Sequence, residues 1–239
     1  MHTARFPSDL FGMAAAYQSL VSIKAPRLCT ILCTILINMP VKSHTLAQGR
    51  LATTRAGKLK VLSSETVFRG RVFDVTRDHV REPNGITAVR EVIRHSGSVV
   101  ILAVDDTDAE PKILLERQFR YAAQAYMLEL PAGRIDSGES PLAAGKRELL
   151  EETGYSARKW KKVLFFYPSP GFLEETMTVY FARQLTAGDA EPEAEESIQH
   201  EMVPLSEVLR RIFTGKIRDG KTIAASLWLS HYLGDAVNR

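Results

Sequence analysis

Apolar and polar residues begin to alternate near Ser64, and this alternation predicts β-strands. Residues 65–80 (ETVFRGRVFDVTRDHV) indicate either two strands joined at Arg69-Gly70-Arg71 or one bent strand. A turn sequence at residues 82–85 (EPNG) follows, and residues 88–95 (AVREVIRH) alternate again. These patterns predict an N-terminal antiparallel strand region over about residues 64–95.

Further along the chain, short apolar runs and one strong helical period predict an α+β domain. We expect strands at residues 98–104, 112–119, 127–130, 163–167, 176–183 and 200–204. We expect helices at residues 141–153, 206–213 and 221–233. Many strands with few helices indicate a mixed β-sheet in an α/β/α sandwich.

The first 62 residues have no sustained helical or strand period. Residues 28–41 are apolar but too few to span a bilayer as a helix, so no membrane association is expected. Three interpretations stay open: a secretory signal, an acid-poor organellar leader, or translated upstream sequence with the true start at Met13 or Met39. We expect residues 1–62 to be a poorly ordered extension without a role in the chemistry, and residues 63–239 to form the domain.

Composition narrows the class of protein. The chain has 239 residues and a net charge of +3, but residues 1–63 hold eight Lys or Arg and one acid. The remainder holds 23 basic and 27 acidic residues, which argues against a nucleic-acid-binding surface on the domain. The only two cysteines, Cys29 and Cys33, exclude a disulfide framework and do not indicate a zinc site. We therefore expect a cytoplasmic protein.

The predicted helix at residues 141–153 carries the most informative charge pattern. Ser140 can cap it, Pro141 suits its first turn, and Gly154 suits its end. Glu148, Glu151 and Glu152 are spaced i, i+3 and i+4, so their carboxylates gather on one side. Such like charges repel, and a hard divalent cation among them would explain the arrangement.

Residues 133–155 resemble the Nudix pattern G-x5-E-x7-R-E-U-x-E-E-x-G-U at every fixed position. Tyr155 stands where an aliphatic residue is more usual. The resemblance implies a Nudix hydrolase. In such an enzyme, the glutamates of this pattern, which is called the Nudix box, hold Mg²⁺ or Mn²⁺, and the metals activate water. The catalytic residues that it implies are Arg147, Glu148, Glu151 and Glu152, with Glu148 and Glu152 as metal ligands. The alternative is a solvated, Glu-rich helix, which the long match in register disfavours.

Two upstream segments are similar to the ADP-ribose pyrophosphatase branch of this family: residues 116–120 (ERQFR) and residues 129–133 (ELPAG). The similarity implies that Arg120 reaches the substrate phosphates, a role suited to a guanidinium fork. It also implies that the backbone carbonyl of Ala132 ligates a metal. For Arg120 the alternative is a surface ion pair, and Glu129 either contacts substrate or forms a structural hydrogen bond.

Two downstream segments extend the resemblance. Pro170, sixteen residues after Gly154, marks the same branch and implies a wall beside the terminal ribose, and Glu175 matches an acidic residue on the substrate side. The acidic residues 191–197 (EPEAEES) correspond to a loop that carries a general base and a metal contact. The metal contact falls on Glu196. The base position falls on Ala194, so its neighbours Glu195 and Glu193 become the candidates, with Glu195 preferred.

The resemblance implies hydrolysis of ADP-ribose to AMP and ribose 5-phosphate, or of related nucleoside diphosphate sugars, by a homodimer paired through its N-terminal strands. Two alternatives stay open. One is a Nudix hydrolase for another nucleotide, such as GDP-mannose, NADH or a flavin dinucleotide. The other is a non-catalytic Nudix-fold nucleotide sensor. Retention of every box residue favours catalysis.

Overall fold

The computed structural model describes residues 58–189 and 198–237. The chain enters through a three-stranded antiparallel sheet of β1 (Lys60–Arg69), β2 (Asp74–Arg81) and β3 (Thr87–Arg94), in that order. The predicted run 65–80 is therefore two strands. The turn between β2 and β3 closes with a hydrogen bond from the Gly85 N–H to the Glu82 carbonyl, and φ of +88° there favours glycine.

A second sheet of seven strands forms the centre of the domain. Its main order is β10-β5-β4-β9-β8, while β6 pairs with β5 and β7 pairs with β4. Only the β4–β9 pair is parallel, so the sheet is mixed. The strands are β4 (Ser98–Asp105), β5 (Lys112–Arg120), β6 (Ala125–Glu129), β7 (Ala132–Arg134), β8 (Ser156–Phe166), β9 (Met177–Thr186) and β10 (Gln199–Pro204).

In the described part of the chain, three α-helices cover the two faces of this sheet: α1 (Pro141–Thr153), α2 (Leu205–Phe213) and α3 (Gly220–Val237). Alternate residues of β4 point to opposite faces. Val99 and Ile101 pack with Leu149 of α1, whereas Val100 and Leu102 pack with residues of α2 and α3 such as Leu229. The domain is thus the expected layered sandwich, with its most buried strand in the middle.

Helix α1 has the bounds expected from the sequence. The Ser140 side chain accepts a hydrogen bond from the Ala143 N–H at 3.2 Å, and Pro141 occupies the first turn. Gly154 ends the helix with φ of +72° and donates its N–H to the Leu150 carbonyl at 2.8 Å. Local sequence therefore fixes the start and the end of the helix that carries the box glutamates.

Two elements differ from the sequence-based expectation. Strand β8 begins at Ser156 rather than at residue 163, because Trp160 packs into the core beside α1 and extends the strand. Its exposed residues, Arg158, Lys159, Lys161 and Lys162, place charges along an edge of the sheet, which discourages pairing with other chains. Strand β7 has only three residues and is defined by its pairing with β4, which lies more than 25 residues earlier in the sequence.

Residues 1–57 of the expected extension and the acidic loop at residues 190–197 lie outside the described residues. Residues 60–62, which were also assigned to the extension, form the start of β1. Within the described part of the chain, no helix is long and apolar enough to cross a membrane.

A substitution at Gly145 tests how closely α1 packs on the sheet. A Cβ at this position would lie 3.1 Å from Val99 Cγ2 and 3.6 Å from Trp160 Cζ3. We expect Gly145→Leu to lower the free energy of unfolding by about 1–3 kcal/mol, because an added side chain overpacks this contact. Urea unfolding measures the change. Ala143→Leu, on the exposed side of the same helix, is the control and should be nearly neutral. Equal stability of the two variants would contradict the packing.

Candidate active site

A cleft of about 640 Å³ opens beside α1. The start of β4, strand β7 and the start of α3 also line it. Acidic and basic side chains line it in equal number. The acidic residues are Asp136, Glu148, Glu151, Glu152 and Glu175, and the basic residues are Arg71, Arg120, Arg134, Arg147 and Lys221. Such a cleft can bind a ligand that carries both metal ions and phosphates.

Arg147 is the hydrogen-bonding centre of the α1 wall. Its guanidinium donates to Glu139 at 3.0 and 3.2 Å, to Glu148 at 2.8 Å and to Glu151 at 3.1 Å. It also donates to the Arg134 carbonyl at 3.2 Å. The hydrogen bond with Glu139 is the main cause that raises the pKa of Arg147, and the same bond lowers the pKa of Glu139. One permanent cation therefore holds three box carboxylates.

Glu148 lies directly over the backbone of Gly133. A Cβ at residue 133 would overlap the Glu148 carboxylate. The first glycine of the box is thus required by a close approach of side chain to backbone, which explains its type at that spacing.

Glu152 faces the same strand from deeper in the cleft and is only 6% exposed. Its carboxylate accepts a hydrogen bond from the Ala132 N–H at 3.2 Å. Helix α1 and strand β7 therefore bring together Glu148, Glu152 and the backbone of Ala132, which the family resemblance implies as metal ligands.

A second wall presents positive charge. The Arg120 Nε and Nη2 atoms each donate to one carboxylate oxygen of Glu129 at 2.9 Å, which forms a bidentate pair. The buried ammonium of Lys221 also contacts Glu129. Burial opposes the ionisation of Arg120 and of Glu129. The hydrogen bonds from Arg120 and the charge of Lys221 nevertheless lower the pKa of Glu129. Glu129 in turn raises the pKa of Arg120.

Glu175 also lines the cleft, and its contacts there were not predicted from the sequence. The Ser98 hydroxyl donates to Glu175 at 2.5 Å, and His95 Nδ1 lies 4.0 Å from the same carboxylate. His95 Nδ1 accepts the Gly97 N–H at 3.0 Å, which leaves the proton of a neutral imidazole on Nε2. His95, Ser98 and Lys221 line the cleft but belong to no recognisable motif.

One candidate among the described residues, Pro170, does not join this cluster. Pro170 is not among the residues that line the cleft. It lies in a turn in which the Leu173 N–H bonds the Ser169 carbonyl at 3.1 Å, next to a bridge between Ile93 and Leu173. The candidates in the acidic loop, Glu193, Ala194, Glu195 and Glu196, lie outside the described residues.

The donors suit a hard divalent cation. Carboxylates and a backbone carbonyl are the ligands that Mg²⁺ and Mn²⁺ prefer. Among residues 58–189 and 198–237, no three His, Cys, Asp or Glu side chains are gathered closely enough to hold a metal ion. Glu148 and Glu151 are instead paired with Arg147.

The comparison with known families agrees with this geometry. A model of the NUDIX domain matches residues 94–225, which include the entire cleft wall on α1. The chain belongs to the Nudix hydrolase family. A second model, the nucleoside diphosphate sugar hydrolase N-terminal domain, matches residues 59–93, which form the three-stranded sheet.

Two relatives of this Nudix hydrolase are similar over most of their length. An ADP-ribose pyrophosphatase from Bacillus subtilis (strain 168) is 37% identical over 172 residues, which are 71% of this chain and 91% of the relative. A methanol dehydrogenase activator from Bacillus methanolicus is 36% identical over 181 residues, which are 72% of this chain and 95% of the relative.

The fold of this Nudix hydrolase also resembles a solved structure. A crystal structure of an ADP compounds hydrolase superposes with a TM-score of 0.65 at 24% sequence identity, and the match covers 75% of this chain and 96% of that one. Nudix hydrolases generally need divalent metal ions, which is consistent with the oxygen donors in the cleft.

Gly133→Ala tests the close approach of Glu148. The new methyl group must displace the Glu148 carboxylate, so we expect kcat of this Nudix hydrolase to fall at least about tenfold. The melting temperature should change by only a few degrees, because the displaced side chain lines an open cleft. Gly234→Ala, where a Cβ would meet nothing within 4 Å, is the control. Full activity in Gly133→Ala would show that the position of Glu148 does not matter for turnover.

Proposed function

We propose that this Nudix hydrolase cleaves the diphosphate bond of ADP-ribose, giving AMP and ribose 5-phosphate, or of closely related nucleoside diphosphate sugars. The observation that carries this proposal is the pairing of two walls in one cleft. Glu148, Glu151 and Glu152 form the acidic wall on α1, and Arg120 and Lys221 form the basic wall. A diphosphate with divalent cations complements both walls at once.

The choice of substrate class rests on similarity. The Bacillus subtilis relative bears the name ADP-ribose pyrophosphatase, and this chain spans 91% of it. The N-terminal sheet falls in a region whose family model is named for nucleoside diphosphate sugar hydrolases. GDP-mannose, NADH and flavin dinucleotides remain alternative substrates of the same chemistry. A non-catalytic sensor is disfavoured, because the box keeps all of its charged residues.

Arg120 is the proposed phosphate-binding residue. Its Nε and Nη2 atoms bind Glu129, and Nη1 forms no hydrogen bond with the described residues. A guanidinium held in this way can offer its remaining N–H groups to an anionic oxygen. Glu129 then orients Arg120. Pro170 and Glu175 stay proposed substrate contacts from the resemblance, although Pro170 does not line the cleft within this chain.

Glu148, Glu152, the Ala132 carbonyl and Glu196 are the proposed ligands of Mg²⁺ or Mn²⁺. Bound ions would supply charge neutralisation at the diphosphate and a water of lowered pKa. Arg147 holds Glu148 and Glu151 by hydrogen bonds and so keeps the α1 wall in place. In the proposed reaction, a water oxygen bonds to one phosphorus as the bridging P–O bond breaks.

Glu195 is the proposed general base, and Glu193 is the second candidate for this role. Either carboxylate would take the proton that the attacking water loses. The resemblance alone supports this assignment, and Glu175 is a base candidate that the structure does describe, within the cleft.

We also propose that the protein is a cytoplasmic homodimer paired through its N-terminal strands. Every residue of β1 is exposed in a single chain, including the apolar Val61, Leu62 and Phe68. An exposed strand with apolar side chains is a surface that a partner usually covers. We assign the chemistry to residues 63–239 and none to the extension before them.

The proposal is tested by assaying the full chain against ADP-ribose, GDP-mannose, NADH and flavin adenine dinucleotide with Mg²⁺ or Mn²⁺. We expect ADP-ribose to have the highest kcat/KM and to yield AMP. Glu152→Gln should lower kcat at least about a hundredfold, because loss of a ligand weakens both charge neutralisation and water activation. Chromatography of the products measures both results.

Glu207→Gln is the matched control, since Glu207 lies on α2 and pairs only with Arg210 and Arg211 in the described structure. It should keep full activity. If wild type hydrolyses none of the four substrates, or if Glu152→Gln keeps more than about a tenth of the wild-type kcat, the proposed function is wrong.

A further inference from the structure

Lys221 is a buried cation that the box chemistry does not use. It is the second residue of α3, its side chain is 8% exposed, and it lines the cleft beside Arg120 and Glu152. Its ammonium contacts the Glu129 carboxylate and lies 3.0 Å from Asp219 Oδ1. Burying a lysine is costly, so these partners must compensate for lost hydration.

The start of α3 is held firmly against the strand that carries Glu129. The Thr222 hydroxyl accepts the Leu130 N–H at 2.8 Å, and both residues are fully buried. Asp219 in turn accepts the Thr222 N–H at 2.9 Å and the Thr222 hydroxyl at 2.6 Å, which caps the helix. Lys221 therefore meets Glu129 from a fixed direction.

The charges of this group explain what Lys221 adds. Glu129 is 4% exposed and accepts hydrogen bonds from two cations, Arg120 and Lys221. If Lys221 were absent, the negative charge of Glu129 would cancel that of Arg120. Asp219 also pairs with Lys221, so the group holds two cations and two anions, and loss of Lys221 would leave a net negative charge beside Arg120.

The orientation of Arg120 depends on the same contact. Arg120 is 42% exposed and uses only Nε and Nη2 on Glu129. A Glu129 carboxylate that rotated would carry the guanidinium with it. Lys221 holds one of the two Glu129 oxygens, so it restricts this rotation.

We propose that Lys221 is a positioning residue, which acts through Glu129 to set the direction and the effective charge of Arg120 toward the substrate diphosphate. This inference deepens the proposed function and rests on it. A purely structural ion pair would instead support the fold and leave substrate affinity unchanged.

The test compares Lys221→Met and Lys221→Arg in the full chain, with Lys216→Met as control because Lys216 is an exposed lysine five residues earlier. For Lys221→Met we expect KM for ADP-ribose to rise about tenfold with kcat changed less than about threefold, as for loss of a charged binding contact. Lys221→Arg should recover most of the affinity, and the control should match wild type.

Binding without turnover separates the inference from the proposed function. Calorimetry with a non-hydrolysable α,β-methylene analogue of ADP-ribose should show the same tenfold loss for Lys221→Met, whereas adenosine, which lacks phosphate, should bind unchanged. If wild type binds the analogue but hydrolyses no ADP-ribose, the proposed activity fails, and the effect of Lys221 on binding still decides the inference.

A double-mutant cycle tests whether Lys221 acts through Arg120. In the Arg120→Ala background, adding Lys221→Met should change the affinity for the analogue less than about twofold. Full additivity of the two changes would overturn the inference, as would a Lys221→Met variant with wild-type affinity and only a lower melting temperature. If Lys221→Met does not fold, Lys221→Gln takes its place with the same expected loss, and wild-type affinity in that variant would also overturn the inference.

Discussion

The contact between Arg147 and the box glutamates is the interaction on which the site depends. Three carboxylates that share one side of α1 repel each other, and the guanidinium of Arg147 offsets this by bonding two of them together with Glu139. The network also reaches the backbone at Arg134, so it connects the helix to strand β7. Without such a cation, the repelling carboxylates of Glu148 and Glu151 would not be held together on this wall.

Close packing of α1 on the sheet places this network at the cleft. Gly145 allows the helix to approach Val99, and Gly133 allows the Glu148 carboxylate to lie over the backbone. Gly145 sets the distance of the helix from the sheet, and Gly133 sets the position of the Glu148 carboxylate against β7. The acidic wall is therefore a consequence of backbone positions, and the basic side chains Arg120 and Lys221 line the same cleft.

The sequence predicted the parts of this site that depend on local spacing. Helix α1 has its expected bounds because a cap residue, a proline and a glycine mark them, and the helical period then places Glu148, Glu151 and Glu152 together. Arg120 and Glu129 were singled out separately, but their mutual pair was not predicted, and the β5–β6 register places Glu129 opposite Glu116. Strand β7 was missed because three residues carry no period of their own.

Lys221, His95 and Ser98 could not be predicted for a different reason. Lys221 contacts Glu129 across 92 residues of sequence, and Ser98 contacts Glu175 across 77. No motif joins such distant positions, and only the parallel pairing of β4 with β9 brings Ser98 and Glu175 to the same end of the sheet. Long-range topology, rather than composition, decides which side chains complete the cleft.

The most direct test of the account is a crystal structure of the full chain with Mn²⁺ and the α,β-methylene analogue of ADP-ribose. Anomalous scattering should place Mn²⁺ at Glu148 and Glu152, and the two phosphorus atoms should lie between these carboxylates and the Arg120 guanidinium. Mn²⁺ bound away from Glu148 and Glu152, or a diphosphate that does not contact Arg120, would contradict the account.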